Sequence, residues 1–142
     1  MKISRIVIDT NVIVSALRSQ RGASFKLLME IGGDKFDINV SVPLVLEYES
    51  AAKRLIGEIK LRKRDIDDIL DYICSAAKRW KIFYLWRPFL KDPKDDMVLE
   101  VAVTAKCDFI VTYNKNDFQN CKTFGLRVVT PKEFLILMGV IK

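Results

Sequence analysis

Residues 5–11 read Arg5-Ile6-Val7-Ile8-Asp9-Thr10-Asn11, and the prediction of the fold starts from them. The β-branched run from Ile6 to Ile8 is typical of a strand that is buried on both faces of a parallel sheet. The strand ends in a carboxylate, a hydroxyl and an amide. In doubly wound folds the carboxyl ends of the strands open into the ligand crevice, so Asp9 is a candidate for the site of chemistry. The alternative is that Asp9 or Thr10 only caps the helix that follows.

Strand-like and helix-like segments alternate along the whole chain. Strand patterns occur at residues 6–8, 36–42, 82–85, 109–112 and 126–129, and helix patterns at 11–18, 23–31, 43–56, 65–79, 95–106 and from Pro131 to the turn at Gly139. Such alternation predicts a three-layer α/β/α fold with a central, mainly parallel sheet of four to five strands. We see no linker or repeat, so we expect a single domain over residues 1–142. Right-handed crossovers would place the carboxyl ends of all strands at one edge.

The composition narrows the classes of function. A net charge of +6 and a pI near 9.3 indicate a polyanionic partner such as nucleic acid, although many basic proteins bind none. The chain has no histidine, which excludes a Ser-His-Asp triad and a histidine-containing zinc site. Its cysteines form no Cys-x-x-Cys pair, which fits a reducing cytoplasm. The longest apolar run, residues 134–141, is far shorter than the roughly 20 residues of a membrane span, so we expect a cytoplasmic protein without a membrane segment.

Four acids follow successive predicted strands: Asp9, Glu47, Asp96 and Asp117. Each acid alone is explained equally well as a helix cap, a turn residue or part of a solvated helix face. Together at one sheet edge they are harder to explain, since like charges at ~4 Å repel by about 4 kcal/mol at an effective dielectric of 20. A bound cation or a raised pKa must relieve that repulsion. Oxygen ligands alone favour hard cations, which predicts Mg²⁺ or Mn²⁺.

Two roles are open for the polar residues near these acids. Asn11 and Ser41 are placed to orient Asp9 or a metal-bound water, and Thr112 and Asn114 are placed to do the same from the opposite side. The alternative for all four residues is ordinary capping and turn formation.

The motifs in this order resemble the PIN-domain ribonucleases, and among them the VapC-like toxins of prokaryotic toxin–antitoxin pairs. The likeness covers essentially the whole chain, and it lies in the order and spacing of short motifs. These motifs are Ile8-Asp9-Thr10-Asn11, then Ser41 to Glu47, then Asp92-Pro93-Lys94-Asp95-Asp96 before Ala102, and then Val111 to Phe118.

The resemblance implies a PIN-like fold and an Mg²⁺-dependent endoribonuclease with Asp9, Glu47, Asp96 and Asp117 as the metal-binding and catalytic acids. It also implies a homodimer, an RNA substrate and a small antitoxin protein that fills the active-site groove. Between the adjacent acids Asp95 and Asp96, the spacing to Val111-Thr112 favours Asp96. Many family members carry an acid where this chain has Asn114, so the fourth acid is Asp117 or the site has three acids.

A basic stretch follows Glu47 and is a candidate for binding the RNA backbone, although a solvated helix end explains it equally well. Its members are Lys53, Arg54, Lys60, Arg62, Lys63 and Arg64. The alternative function from a different class is a non-catalytic PIN-like module that binds RNA or a protein.

Overall fold

The computed structural model describes residues 3–82, 90 and 92–142. Its sheet has five strands, all parallel, in the order β3-β2-β1-β4-β5. The strands are β1 (Ser4–Ile8), β2 (Phe36–Val40), β3 (Lys78–Arg79), β4 (Phe109–Val111) and β5 (Arg127–Val129). Helices pack against this sheet in a three-layer α/β/α arrangement, which confirms the predicted fold class.

Six α-helices and one 3₁₀ segment are present in the described part of the chain. They are α1 (Thr10–Arg18), α2 (Ala23–Glu30), α3 (Val42–Lys53), α4 (Lys63–Ala76), α5 (Pro93–Thr104), the 3₁₀ segment (Lys115–Phe124) and α6 (Pro131–Leu137). None of the described helices is both long and apolar enough to span a membrane.

The hydrophobic core lies on the two faces of the sheet. Ile6 and Val7 of β1 are completely buried, as expected for the central strand of a parallel sheet. Phe134 of α6 makes edge-to-face contacts with Phe36 and Phe109, with ring centroids 5.2 and 5.4 Å apart, and so fixes α6 against the sheet. This core holds β1 and β4 side by side, with their carboxyl ends at the same edge.

The third strand differs from its predicted position. The apolar pattern predicted residues 82–85, but β3 is Lys78–Arg79; residue 82 is not in a strand, and residues 83–85 lie outside the described residues. Two features place the strand earlier in the chain. Helix α4 ends at Ala76, because Ala77 is already extended, and β3 then pairs with β2 through Asn39 and Val40. An edge strand has one partner and an exposed side, so exposed Lys and Arg residues are tolerated there.

Candidate active site

Asp9 lies at the carboxyl end of the central strand and is held there from several sides. Its backbone N–H donates to the carbonyl of Val111 at 2.9 Å, which continues the pairing of β1 with β4. Its Oδ1 accepts from the backbone N–H of Thr10 at 2.8 Å, so Asp9 also caps α1. Its Oδ2 accepts from the hydroxyl of Thr112 at 2.7 Å. The carboxylate, which is 6% exposed, is therefore fixed rather than free to rotate.

Burial and neighbouring charges act on the ionisation of Asp9. Burial is the largest influence and raises its pKa, the hydrogen bonds from Thr112 and Thr10 lower it, and the charges of Asp117 and Asp92 raise it again. The net shift is upward, because removal from water outweighs the two hydrogen bonds. Acids from two other segments therefore lie near enough to the end of β1 for their charges to act on Asp9.

Three of the predicted polar neighbours join one network around Asp9. The Thr112 hydroxyl accepts from the side-chain amide of Asn11 at 3.4 Å and from the backbone N–H of Asn114 at 3.0 Å, while it donates to Asp9. Ser41 makes a different contact: its buried hydroxyl accepts from the N–H of Leu44 at 3.3 Å and caps α3. The capping alternative thus describes the contact that Ser41 makes.

The first turn of α5 brings further acids to this edge. Asp92 caps the helix by accepting from the N–H of Lys94 at 2.9 Å. Asp95 lies among other carboxylates: burial, followed by the charges of Asp9, Asp117, Asp92 and Asp96 in that order, raises its pKa to about 7. A carboxyl group with such neighbours is part of the same acidic cluster as Asp9.

Asp96, the neighbour favoured by the family resemblance, has a different environment. Its side chain is 1% exposed, and its Oδ1 accepts from the backbone N–H of Leu90 at 2.9 Å. Its Oδ2 is buried and has no hydrogen-bond partner among the described residues. Asp96 is the last and weakest of the charges that act on Asp95.

Asp117 and Glu47 are the remaining two acids of the predicted set. Asp117 is exposed in the first turn of the 3₁₀ segment, where its N–H donates to the carbonyl of Asn114 at 3.0 Å, and its charge acts on both Asp9 and Asp95. Glu47 extends from α3, and its 13%-exposed carboxylate lies 3.6 Å from the ammonium of Lys94 and 3.8 Å from the guanidinium of Arg54. Glu47 is therefore linked to the start of α5 through Lys94.

The residues of the predicted basic stretch have different contacts. Arg54 contacts Glu47, whereas Lys53 pairs with Glu49 at 3.5 Å on its own helix and Arg62 pairs with Asp65 at 3.7 Å. Lys60 lines a separate cavity of about 970 Å³ between α1, α2 and α4, and Lys63 and Arg64 are exposed in the first turn of α4.

The donor chemistry suits a hard cation, but the acids are not gathered tightly. Within residues 3–82, 90 and 92–142, no three acid or cysteine side chains lie close enough together to form a metal-binding cluster. Mg²⁺ usually needs only one or two carboxylates, because it retains several waters and takes further oxygens from substrate phosphates. The carboxylates of Asp9, Asp95 and Asp117 fit that requirement by type.

Lys94 is a candidate functional residue that the sequence pattern does not indicate. It lies within the motif Asp92-Pro93-Lys94-Asp95-Asp96. Nothing in the sequence indicates that its side chain reaches Glu47, which is 47 positions earlier in the chain. Only the packing of α5 beside α3 brings the two together.

Comparison with known proteins agrees with this fold. The family model of the PIN domain matches residues 5–116. An uncharacterized protein of Methanocaldococcus jannaschii is 28% identical over 140 residues, which cover 92% of this chain and 89% of that protein. The crystal structure of VapBC2 from Rickettsia felis, bound to a DNA fragment from their promoter, superposes with a TM-score of 0.60 at 14% identity over 87% of this chain and 98% of that one. That identity establishes similarity of fold alone.

PIN domains are in general nucleases, and these nucleases generally use divalent metal ions. The family model spans most of the sheet together with Asp9, Glu47, Asp95 and Asp96, and it ends one residue before Asp117. The chain belongs to the PIN domain family.

Proposed function

We propose that this protein is an Mg²⁺- or Mn²⁺-dependent endoribonuclease that hydrolyses RNA phosphodiester bonds at the cluster of Asp9, Asp95 and Asp117, with Glu47 at its border. The observation that carries the proposal is the buried Asp9 carboxylate, which Thr112 and Thr10 hold at the carboxyl end of β1; the charges of Asp92 and Asp117 act on it, and burial and these acids also raise the pKa of Asp95 to about 7. A protein that holds like charges together in this way gains stability when a cation binds among them.

The proposed set replaces Asp96 with its neighbour Asp95. Support comes from the electrostatic coupling of Asp95 to Asp9 and Asp117, and from the bond that Asp96 makes to the N–H of Leu90. Asp96 would then hold the chain just before α5 in place through the N–H of Leu90.

A bound ion would lower the pKa of a coordinated water and stabilise negative charge on the leaving oxygen. The protein's own residues supply the fixed geometry. Thr112 and the N–H of Thr10 hold the Asp9 carboxylate in one orientation and favour its charged form, which is the form that binds a cation. Asn11 and Asn114 hold Thr112 in turn.

The biological setting that we propose is a cytoplasmic toxin of a toxin–antitoxin pair, acting as a homodimer and inhibited by a small antitoxin protein. Support comes from the similarity of this fold to that of VapBC2. Induced synthesis of the wild-type chain in a bacterial host is expected to stop growth, and synthesis of Asp9→Asn is not. Growth that continues equally with both chains would contradict the toxin role.

The nuclease is tested with purified protein and labelled single-stranded and structured RNA, in Mg²⁺ or Mn²⁺ and in EDTA. We expect cleavage that disappears on chelation and in Asp9→Asn, and that persists in the matched control Asp34→Asn, in an exposed turn before β2. Equal cleavage by wild type and Asp9→Asn would identify a contaminating ribonuclease and overturn the proposal.

The second candidate is a PIN-like module that binds RNA or a protein without cutting. The observation that favours it is the absence of a tight group of three metal-ligating side chains within the described residues. Intact RNA after prolonged incubation with either metal, together with retained RNA binding, would support the non-catalytic module over the nuclease.

A further inference from the structure

We propose that Arg54 and Lys94 form a phosphate subsite, in which two cations hold a backbone phosphate of the RNA strand beside the acidic cluster. This inference rests on the proposed ribonuclease function and deepens it, because it states how a polyanionic substrate is held next to a group of carboxylates. Glu47 is the counter-ion that keeps both cations in position when no RNA is bound.

The contacts of Glu47 support an exchangeable arrangement. Its Oε1 lies 3.8 Å from Nη2 of Arg54 and 3.6 Å from Nζ of Lys94, longer than a well-formed hydrogen bond. The Glu47 side chain is only 13% exposed, whereas those of Arg54 and Lys94 are 61% and 54% exposed. The carboxylate is thus enclosed while both cations remain open to solvent, so a phosphate can reach them without displacing packed side chains.

The position of Lys94 ties this subsite to the proposed site of chemistry. Lys94 lies in the first turn of α5, directly before Asp95, and Asp92 caps the same turn. Arg54 follows α3, the helix that carries Glu47 and that packs against α5. The two cations therefore come from separate elements and converge on one carboxylate at the border of the cluster.

The positive charge of the subsite would offset the repulsion between the acidic cluster and the RNA backbone. The cluster of Asp9, Asp92, Asp95 and Asp117 repels a phosphate backbone, and the trio of Arg54, Lys94 and Glu47 carries one net positive charge next to it. A guanidinium matches two phosphate oxygens at once, and an ammonium adds a point charge. The alternative cations are less suitable, since Lys53 and Arg62 pair with acids on their own helix, away from Glu47.

The test measures RNA binding without cleavage. We would determine the Kd of a short fluorescein-labelled oligouridylate for the Asp9→Asn protein in EDTA over a series of NaCl concentrations. The added double substitution Arg54→Gln/Lys94→Gln is expected to weaken binding about tenfold, the size of one charge-assisted contact. The slope of log K against log salt should fall in magnitude by about 0.7, the value for one phosphate contact on a single strand.

Matched variants separate this role from a general effect of charge or folding. Lys53→Gln removes one cation from the neighbouring position, which pairs with Glu49, and is expected to leave the Kd close to that of Asp9→Asn. Lys94→Arg should retain binding. Glu47→Gln should tighten binding, because it releases both cations and removes a negative charge; a purely structural role for the ion pairs predicts no such gain. Thermal melting of each variant verifies that it is folded.

The outcomes of this RNA-binding test can be distinguished from those of the nuclease test. A double variant that binds like Lys53→Gln, a Glu47→Gln variant that binds more weakly, or Asp9→Asn protein that binds no RNA would overturn the subsite. If binding depends on Arg54 and Lys94 but the wild type never cleaves RNA, the subsite stands and the ribonuclease proposal fails. If Asp9 is needed for cleavage but the double variant binds RNA normally, the ribonuclease proposal stands and the subsite proposal fails.

Discussion

The hydroxyl of Thr112 donates a hydrogen bond to Oδ2 of Asp9 at 2.7 Å, across the pair of central strands β1 and β4. Both side chains are buried, and Thr112 is itself fixed by Asn11 and Asn114. This bond joins two residues that are 103 positions apart and is one of the influences that lower the pKa of Asp9 against the effect of burial. Several expected outcomes follow from such contacts.

Thr112→Val keeps the shape of the side chain but removes the donor. We expect the pKa of Asp9 to rise further, so that the carboxylate ionises only at higher pH and the acid limb of the cleavage profile moves to higher pH. Thr112→Ser, which keeps the hydroxyl, is the control and should leave the limb in place. The measurement is the pH dependence of RNA cleavage, and an unmoved limb in Thr112→Val would show that this bond does not tune Asp9.

Asp95→Asn should stabilise the metal-free protein at pH 8. The folded-state pKa of Asp95, about 7, lies above the ordinary aspartate value of 3.8, so the folded state favours the neutral form and loses stability as pH rises from about 4 to 7. Since the group is partly exposed, solvent screening reduces the effect to about 1 kcal/mol, or about 2–4 °C in Tm.

The measurement for Asp95 is thermal melting in EDTA at pH 4 and pH 8, with Asp34→Asn as the control. The gain in Tm should vanish at pH 4, where Asp95 is protonated in the folded wild type. A lower Tm for Asp95→Asn at pH 8 would mean that Asp95 is not held among like charges.

Removal of the metal gives an independent check of the shared site. Under the proposed function Mg²⁺ or Mn²⁺ binds the folded state alone, so it should raise the Tm of the wild type by more than that of Asp9→Asn or Asp95→Asn. Melting curves with and without EDTA measure the difference. Equal increases in all three proteins would indicate that these two acids share no cation.

The adjacent acids Asp95 and Asp96 should behave differently. Asp96→Ala leaves the buried N–H of Leu90 without its acceptor, which costs about 1–3 kcal/mol of unfolding free energy. Asp96→Asn retains an acceptor oxygen and should be close to wild type in stability and cleavage, whereas Asp95→Asn should lose cleavage. Urea unfolding and the RNA assay measure these effects. If Asp96→Asn loses cleavage and Asp95→Asn retains it, Asp96 rather than Asp95 belongs to the metal site, as the family resemblance favours.

Tyr48 forms a hydrogen bond to Ile8, the residue before Asp9. Its fully buried hydroxyl donates to the carbonyl of Ile8, so Tyr48→Phe leaves that carbonyl with one bond fewer and should cost about 1 kcal/mol or more. It should also reduce cleavage, because Asp9 is the next residue along the chain. Tyr72→Phe is the matched control: the Tyr72 hydroxyl donates to the carbonyl of Ile31, away from the acids, and its loss should leave cleavage unchanged. Equal effects on cleavage would mean that Tyr48 has no specific influence on Asp9.

The amino-acid pattern alone was sufficient for the α/β fold class, for four of the five strands, and for the family resemblance. Runs such as Ile6–Ile8 and Phe109–Val111 carry a strong local signal, since β-branched and aromatic residues suit buried strands. The position of Asp9 directly after such a run is likewise a local property. The pattern was wrong at the third strand, where Lys78 and Arg79 pair at the exposed edge of the sheet and give no apolar signal.

The contacts of the adjacent acids Asp95 and Asp96 were decided by tertiary packing. Neighbouring residues of a helix point about 100° apart, so the orientation of α5 against the sheet sets the contacts of each one: Asp96 accepts from the N–H of Leu90, and the charges of Asp9 and Asp117 act on Asp95. In the same way, the contact of Lys94 with Glu47 depends on how α5 lies beside α3. Local propensity determines where strands and helices occur, but only the burial of their apolar faces sets how each helix is rotated, and therefore which charges meet.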